Sequence, residues 1–202
     1  MNLPNKISLT RICMIPVFVL VFFLNGILPF AYGIAAIIFA VAAFTDFLDG
    51  HIARSRGLVT NLGKFLDPIA DKVLVATATI LILTMNETLF ALFGCAQTAL
   101  YIATSIAICV ILARELIISA FRQIAAANGV IMAAEKLGKY KTFCQDVAIF
   151  VLIFAGGIAE FSCVAATYFA WVGMALFAAA TVLTIWSGIS YVVKNKQVLK
   201  DN

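Results

Sequence analysis

Charge is what this 202-residue chain has least of: 12% of its residues are Asp, Glu, Lys or Arg, while 64% are apolar. An average soluble domain is about half apolar and about a quarter charged. A soluble globule of this length could not hide so much apolar surface. With a mean hydropathy of +1.08, the composition excludes a soluble domain, a disordered chain and a fibrous repeat, and leaves a polytopic membrane protein. Histidine is nearly absent: His51 stands alone, which leaves no histidine-rich zinc site, and no Ser/His/Asp or Cys/His arrangement points to a covalent intermediate. The five cysteines, Cys13, Cys95, Cys109, Cys144 and Cys163, form no C-x-x-C pair. They read as buried small apolar residues rather than a disulfide frame or a metal knuckle. No repeat, low-complexity tract or soluble segment interrupts the chain, which reads as a single membrane domain over residues 1–202. The opening MNLPNKISLTR has no compact basic stretch before the first apolar run and no small-residue exit after it. It is expected to be retained rather than removed as a signal peptide.

What is present is a series of uncharged runs. Crossing the hydrocarbon takes about 20 apolar residues, and six charge-free or nearly charge-free runs divide the chain, the fifth the shortest: about 7–28, 29–53, 65–85, 88–113, 142–157 and 161–193. The last exceeds the requirement and is expected to tilt or project beyond the bilayer. All fourteen basic residues fall at the amino terminus, the second connection, the fourth connection or the tail. The connections near Asn25, at Asn86-Glu87-Thr88 and at 156–160 contain none. With six spans every Lys and Arg therefore lies on one side, which the positive-inside rule makes cytoplasmic, with both termini there. Residues 1–11 and 114–141 are intermediate in polarity. The first is expected to form a short amphipathic interfacial helix, with Leu3, Ile7 and Leu9 toward lipid.

Four carboxylates stand out against this scarcity. Asp46 and Asp49 lie near the inner end of the second run, Asp67 and Asp71 near the inner start of the third. Spacings of i, i+3 and i, i+4 each project from one helix face. A short cytoplasmic connection makes the two helices antiparallel neighbours, so the acids can converge at interfacial depth. Converging carboxylates repel, and half-buried charge is costly. Two divalent cations would cancel four charges, and all-oxygen ligation selects hard ions, Mg²⁺ or Mn²⁺. The competing arrangement is a set of interfacial ion pairs with Arg54, Arg56, Lys64 and Lys72, but salt bridges alone would not call for Gly50 and Gly63 beside the acids. Glycine lets a ligand approach backbone closely, and Ala53 is small enough to do the same. Asp67-Pro68 is compatible with a helix start capped by Asp67 or with a kink.

Asp46-x-x-Asp49-Gly50-x-x-Ala53-Arg54, eight residues, then Gly63-x-x-x-Asp67-x-x-x-Asp71 fills all eight fixed positions, over 26 residues, of the CDP-alcohol phosphatidyltransferase signature. The chain resembles that family. The resemblance implies an all-α integral membrane enzyme of six transmembrane helices, a homodimer, with its site at the cytoplasmic face of the cell (inner) membrane and no nucleic-acid partner. It implies two bound divalent cations and assigns Asp46, Asp49 and Asp67 mainly to metal ligation. Asp71 joins them as ligand and also serves as general base on the incoming hydroxyl, while Gly50, Ala53, Arg54 and Gly63 lie near the CDP group. Arg54 and Lys64 are expected to help hold the nucleotide phosphates.

Further segments resemble the branch of the family that uses sn-glycerol 3-phosphate as acceptor: Pro4-Asn5-x-x-Ser8-Leu9-Thr10-Arg11, the stretch from Val59 to Lys72, Ala113-Arg114-Glu115, and Gly138-Lys139-x-Lys141-Thr142. They imply transfer of phosphatidyl from CDP-diacylglycerol to that acceptor with release of CMP. The residues make a phosphorylated acceptor plausible. Arg114, Arg122, Lys139 and Lys141 form a basic set on the side of the carboxylates, suited to phosphate oxygens, although topology or anionic head groups would also account for them. Glu115 is expected to pair with a neighbouring cation. Two alternatives stand beside this: the same chemistry on inositol phosphate, serine or phosphatidylglycerol, and a cation channel or transporter lined by the aspartates. Against a channel, the acids gather at one face rather than mid-bilayer, and no broken-helix repeat is visible.

Overall fold

In lipid a backbone must satisfy its own hydrogen bonds, so uncharged runs of this length become helices. The computed structural model describes the backbone of residues 3–56, 61–127 and 136–194, and side chains over 9–45, 69–125, 138 and 140–194. Among the described residues there is no strand, and the α-helices are α1 (Leu3–Phe23), α2 (Ala31–Arg56), α3 (Asn61–Thr84), α4 (Gln97–Ala127), α5 (Lys136–Ile158) and α6 (Cys163–Lys194), with a 3₁₀ helix at Phe90–Ala96. Three segments are long and apolar enough to cross a membrane, Phe90–Ala125, Tyr140–Ile158 and Cys163–Lys194; Leu9–Phe23 and Ala31–Thr45 are shorter apolar helices. The molecule is a helical membrane protein.

Large apolar side chains such as Leu20, Phe44, Ile106, Leu116 and Trp186 cover the outside of the bundle. Lipid tails are as apolar as leucine, so helix association here depends on close packing and polar contacts. Small residues provide the packing. A Cβ on Gly157 of α5 would sit 2.5 Å from the Gly33 nitrogen of α2, and one on Gly173 of α6 would sit 2.8 Å from Leu152 Cδ2 of α5. Phe18 lies against Phe39, and Phe22 against Tyr32, making α1 and α2 antiparallel neighbours. α5 and α6 pack most extensively of all. α4 and α6 run in the same direction side by side, as Thr104 meets Met174 and, eighteen residues on, Arg122 meets Tyr191. The starts of α1, α3 and α5 and the ends of α2, α4 and α6 thus form one pole, and the basic residues among those described gather toward it.

Several expectations are corrected. Residues 3–11 are the first turns of α1, which runs on without a break to Phe23, so no separate interfacial helix forms from them. The fourth helix begins at Gln97 rather than near residue 88, because Gly94 takes φ +55° and breaks the run at the 3₁₀ helix. It then continues to Ala127, well into the stretch of intermediate polarity. α3 begins six residues before Asp67, so Asp67 is not its cap. Cys13, Cys95, Cys109 and Cys163 are exposed on the surface of the bundle rather than buried, and all five cysteines are free.

At the opposite pole a cleft of about 840 Å³ opens between Asn25, Leu28, Glu87, Leu92, Glu160 and Thr167. Phe30 takes φ +58° there, and its amide donates to Glu160 Oε2 at 2.7 Å.

Candidate active site

The acidic motif lies on two helices joined by a four-residue connection. Asp46, Asp49, Gly50, Ala53 and Arg54 fall in the last turns of α2; Gly63, Lys64, Asp67 and Asp71 fall in the first turns of α3. Both runs are helical throughout, so the i, i+3 and i, i+4 spacings hold. α2 and α3 pack against each other. Of these nine residues only the Asp71 side chain is among those described, and it is half-buried. The side chains of the other eight, and that of Lys139, lie outside the described residues. The motif supplies four carboxylates, and all-oxygen donors of this kind fit a hard divalent cation.

Beside Asp71 the structure builds a polar cluster that links four helices. Lys72 of α3 donates from Nζ to Ser119 Oγ of α4. Ser119 Oγ also bonds the Glu115 carbonyl oxygen at 2.5 Å. The Glu115 carboxylate, on α4, receives two cations: Lys141 Nζ from α5 in close contact, and Arg114 Nη1 at 3.2 Å. Arg114 reaches on to α6, where Nη2 donates to Ser187 Oγ at 3.0 Å. Two helical turns farther along α4, Arg122 donates from Nε to the Tyr191 hydroxyl at 3.2 Å, and its Cζ lies 5.3 Å from that ring's centroid. Tyr191 is itself buried and packs edge-on against Phe121.

The structure therefore brings Arg114, Arg122 and Lys141 to the pole where the acidic motif begins α3 and ends α2. It places them differently. Lys141 is 3% exposed, with its ammonium on Glu115, whereas Arg122 is exposed and Arg114 stands between. A buried ammonium of this kind persists only with a partner, and Glu115 is that partner, as expected.

Sequence reasoning overlooked several members. Arg11, which closes the amino-terminal segment resembling the glycerol 3-phosphate branch but carries no role of its own by sequence, is 1% exposed. Ser119 and Ser187 are ordinary hydroxyl residues until the helices meet, lying 47 and 73 residues from their partners Lys72 and Arg114. Gln145, one turn beyond Lys141, is 2% exposed, and its Nε2 makes no hydrogen bond among the described residues. The polar pair Gln145-Asp146 within an apolar run was the available signal for Gln145. No signal in the sequence marked Ser187.

Comparison with known proteins covers the same ground end to end. Residues 1–186 match the family model for CDP-alcohol phosphatidyltransferase. The chain is similar to the CDP-diacylglycerol–glycerol-3-phosphate 3-phosphatidyltransferase of Bacillus subtilis, 35% identical over 209 residues, with 98% of this chain and 97% of that protein covered. It is also similar to the protein of that name from Shigella flexneri serotype 5b, 38% identical over 203 residues covering 99% and 98%. That of Rickettsia bellii is 36% identical over 190 residues covering 94% and 93%.

Proposed function

This chain belongs to the CDP-alcohol phosphatidyltransferase family, and from that premise we propose that it transfers phosphatidyl from CDP-diacylglycerol to sn-glycerol 3-phosphate, giving phosphatidylglycerophosphate and CMP. The observation that carries this is the complete acidic motif on the adjoining ends of α2 and α3, in a chain whose full-length relatives bear that acceptor in their names. In the reaction the acceptor hydroxyl oxygen bonds to the lipid-side phosphorus, the bond from that phosphorus to the CMP oxygen breaks, and the hydroxyl proton passes to Asp71. Asp46, Asp49, Asp67 and Asp71 hold two divalent cations, Mg²⁺ or Mn²⁺. When bound, these ions supply neutralisation of the diphosphate charge and make CMP a better leaving group.

The remaining roles belong to the chain's own groups. Arg54 and Lys64 hold nucleotide phosphates, while Gly50, Ala53 and Gly63 leave room for the CDP group. Arg114, Arg122, Lys139 and Lys141 provide positive charge for the acceptor's phosphate. The heads of Lys141 and Arg122 are already engaged, by Glu115 and Tyr191, so a bound phosphate must share them. Arg114 is engaged as well, by Glu115 and Ser187, and keeps one further N–H on each terminal nitrogen to offer the phosphate. The alternating helices and the basic pole support a reading of six spans with both termini cytoplasmic and the site at the cytoplasmic face of the cell membrane, where a lipid and a water-soluble substrate can meet. Residues 1–202 act as one membrane domain within a homodimer.

The test is CMP release by purified protein in detergent, with CDP-diacylglycerol and each of glycerol 3-phosphate, inositol phosphate, serine and phosphatidylglycerol. Release with glycerol 3-phosphate alone, lost on chelation and restored by Mg²⁺ or Mn²⁺, is the expected result. Release with a different acceptor would reassign the substrate, and ion flux without CMP release would overturn the enzyme.

A further inference from the structure

We propose that Ser187 and Gly188 of α6 are positioning residues for the acceptor: they seat Arg114 so that its guanidinium meets the acceptor's phosphate. This rests on Arg114 being an acceptor-phosphate ligand, and it names the part of the fold that sets that ligand's geometry.

α6 approaches Arg114 closely because residue 188 has no side chain. A Cβ there would lie 3.0 Å from Arg114 Cγ, tighter than ordinary contact, and 3.4 Å from Nε, in van der Waals contact. The preceding residue, Ser187, is 2% exposed. Its Oγ donates its single proton to the Thr184 carbonyl at 3.2 Å, so toward Arg114 Nη2, at 3.0 Å, it can only accept. On the other side Nη1 meets Glu115 Oε1 at 3.2 Å. The side chain is thus fixed along its stem and at both terminal nitrogens.

A guanidinium carries five N–H donors. The one on Nε is buried and makes no hydrogen bond among the described residues. Nη1 and Nη2 each commit one donor, to Glu115 and Ser187, which leaves one on each terminal nitrogen. Two coplanar donors on a head that cannot turn suit two oxygens of one phosphate, and little rotamer freedom remains to be lost on binding. Charge is suitable as well. Glu115 is shared between Arg114 and Lys141, so two cations face one carboxylate and the group keeps a net positive charge.

The experiment uses the full-length protein in mixed micelles and follows CMP release as each substrate is varied. Ser187→Ala and Gly188→Ala are expected to raise the KM for glycerol 3-phosphate about tenfold, the scale of one charge-assisted hydrogen bond. The kcat and the KM for CDP-diacylglycerol should stay within about twofold. In an Arg114→Ala background, Ser187→Ala should add nothing, because its effect passes through Arg114. Ser187→Ala is the smaller change and keeps the test available should Gly188→Ala fail to fold. An acceptor KM raised by Arg114→Ala but unmoved by Ser187→Ala would overturn the seat alone. An acceptor KM unmoved by Arg114→Ala would remove the ligand assignment beneath it. A Ser187→Ala effect that persists undiminished without Arg114 would make Ser187 merely structural.

Discussion

Asp71 and Glu115 are both carboxylates near the same helix ends, yet their surroundings give them different work. Asp71 belongs to a set of four acids, and replacing it with Asn removes the proton acceptor while keeping an oxygen donor. Asp71→Asn is expected to lower kcat by about 10²–10⁴-fold, the usual contribution of a general base, while calorimetric titration still detects Mn²⁺ binding; near-normal turnover would deny it the base role. Glu115 instead neutralises Lys141, which is 3% exposed. Removing one partner of such a pair strands the other, at a cost of about 3–5 kcal/mol. Glu115→Gln should therefore lower the thermal midpoint in detergent, and Glu115→Gln with Lys141→Met should recover most of the loss. The aspartates were legible in the sequence because their spacing is local. The Glu115–Lys141 pair spans 26 residues and the Arg114–Ser187 bond 73, and nothing short of the packed helices shows them.

Helices as elements were legible wherever an uncharged run was long. Their ends were less so, because helix continues through charged sequence when the charges find partners. Arg114, Glu115 and Ser119 do so within α4, which accordingly extends to Ala127. Conversely the apolar stretch at 90–96 does not join α4 smoothly, since Gly94 adopts a left-handed φ. Contacts between elements show the same dependence on what lies opposite. A methyl group added at Gly157 meets backbone, the Gly33 nitrogen at 2.5 Å, whereas one at Gly156 meets the flexible end of Met85. Gly157→Ala should push α2 and α5 apart and cost about 1–3 kcal/mol, the usual penalty of overpacking, while Gly156→Ala should cost less. Thermal midpoints of the two variants in one detergent measure the difference.

At the level of the whole molecule, the two poles are chemically unlike: one gathers Lys, Arg and the acidic motif, and the other presents Glu87, Glu160 and an open cleft. The positive-inside rule orients such a molecule. In a cysteine-free background, Glu87→Cys is expected to react with a membrane-impermeant maleimide added to intact cells, and Asp201→Cys only after lysis. The reverse pattern would place the acidic motif outside.

The parallel course of α4 and α6 has a consequence for which copies of such a chain can work. The matched family segment ends at residue 186, one position short of Ser187, and every signature aspartate lies more than a hundred residues earlier. A gene shortened by its final two dozen codons would still pass any inspection of its hallmark acids. Its product would have lost the wall that Arg114 leans on.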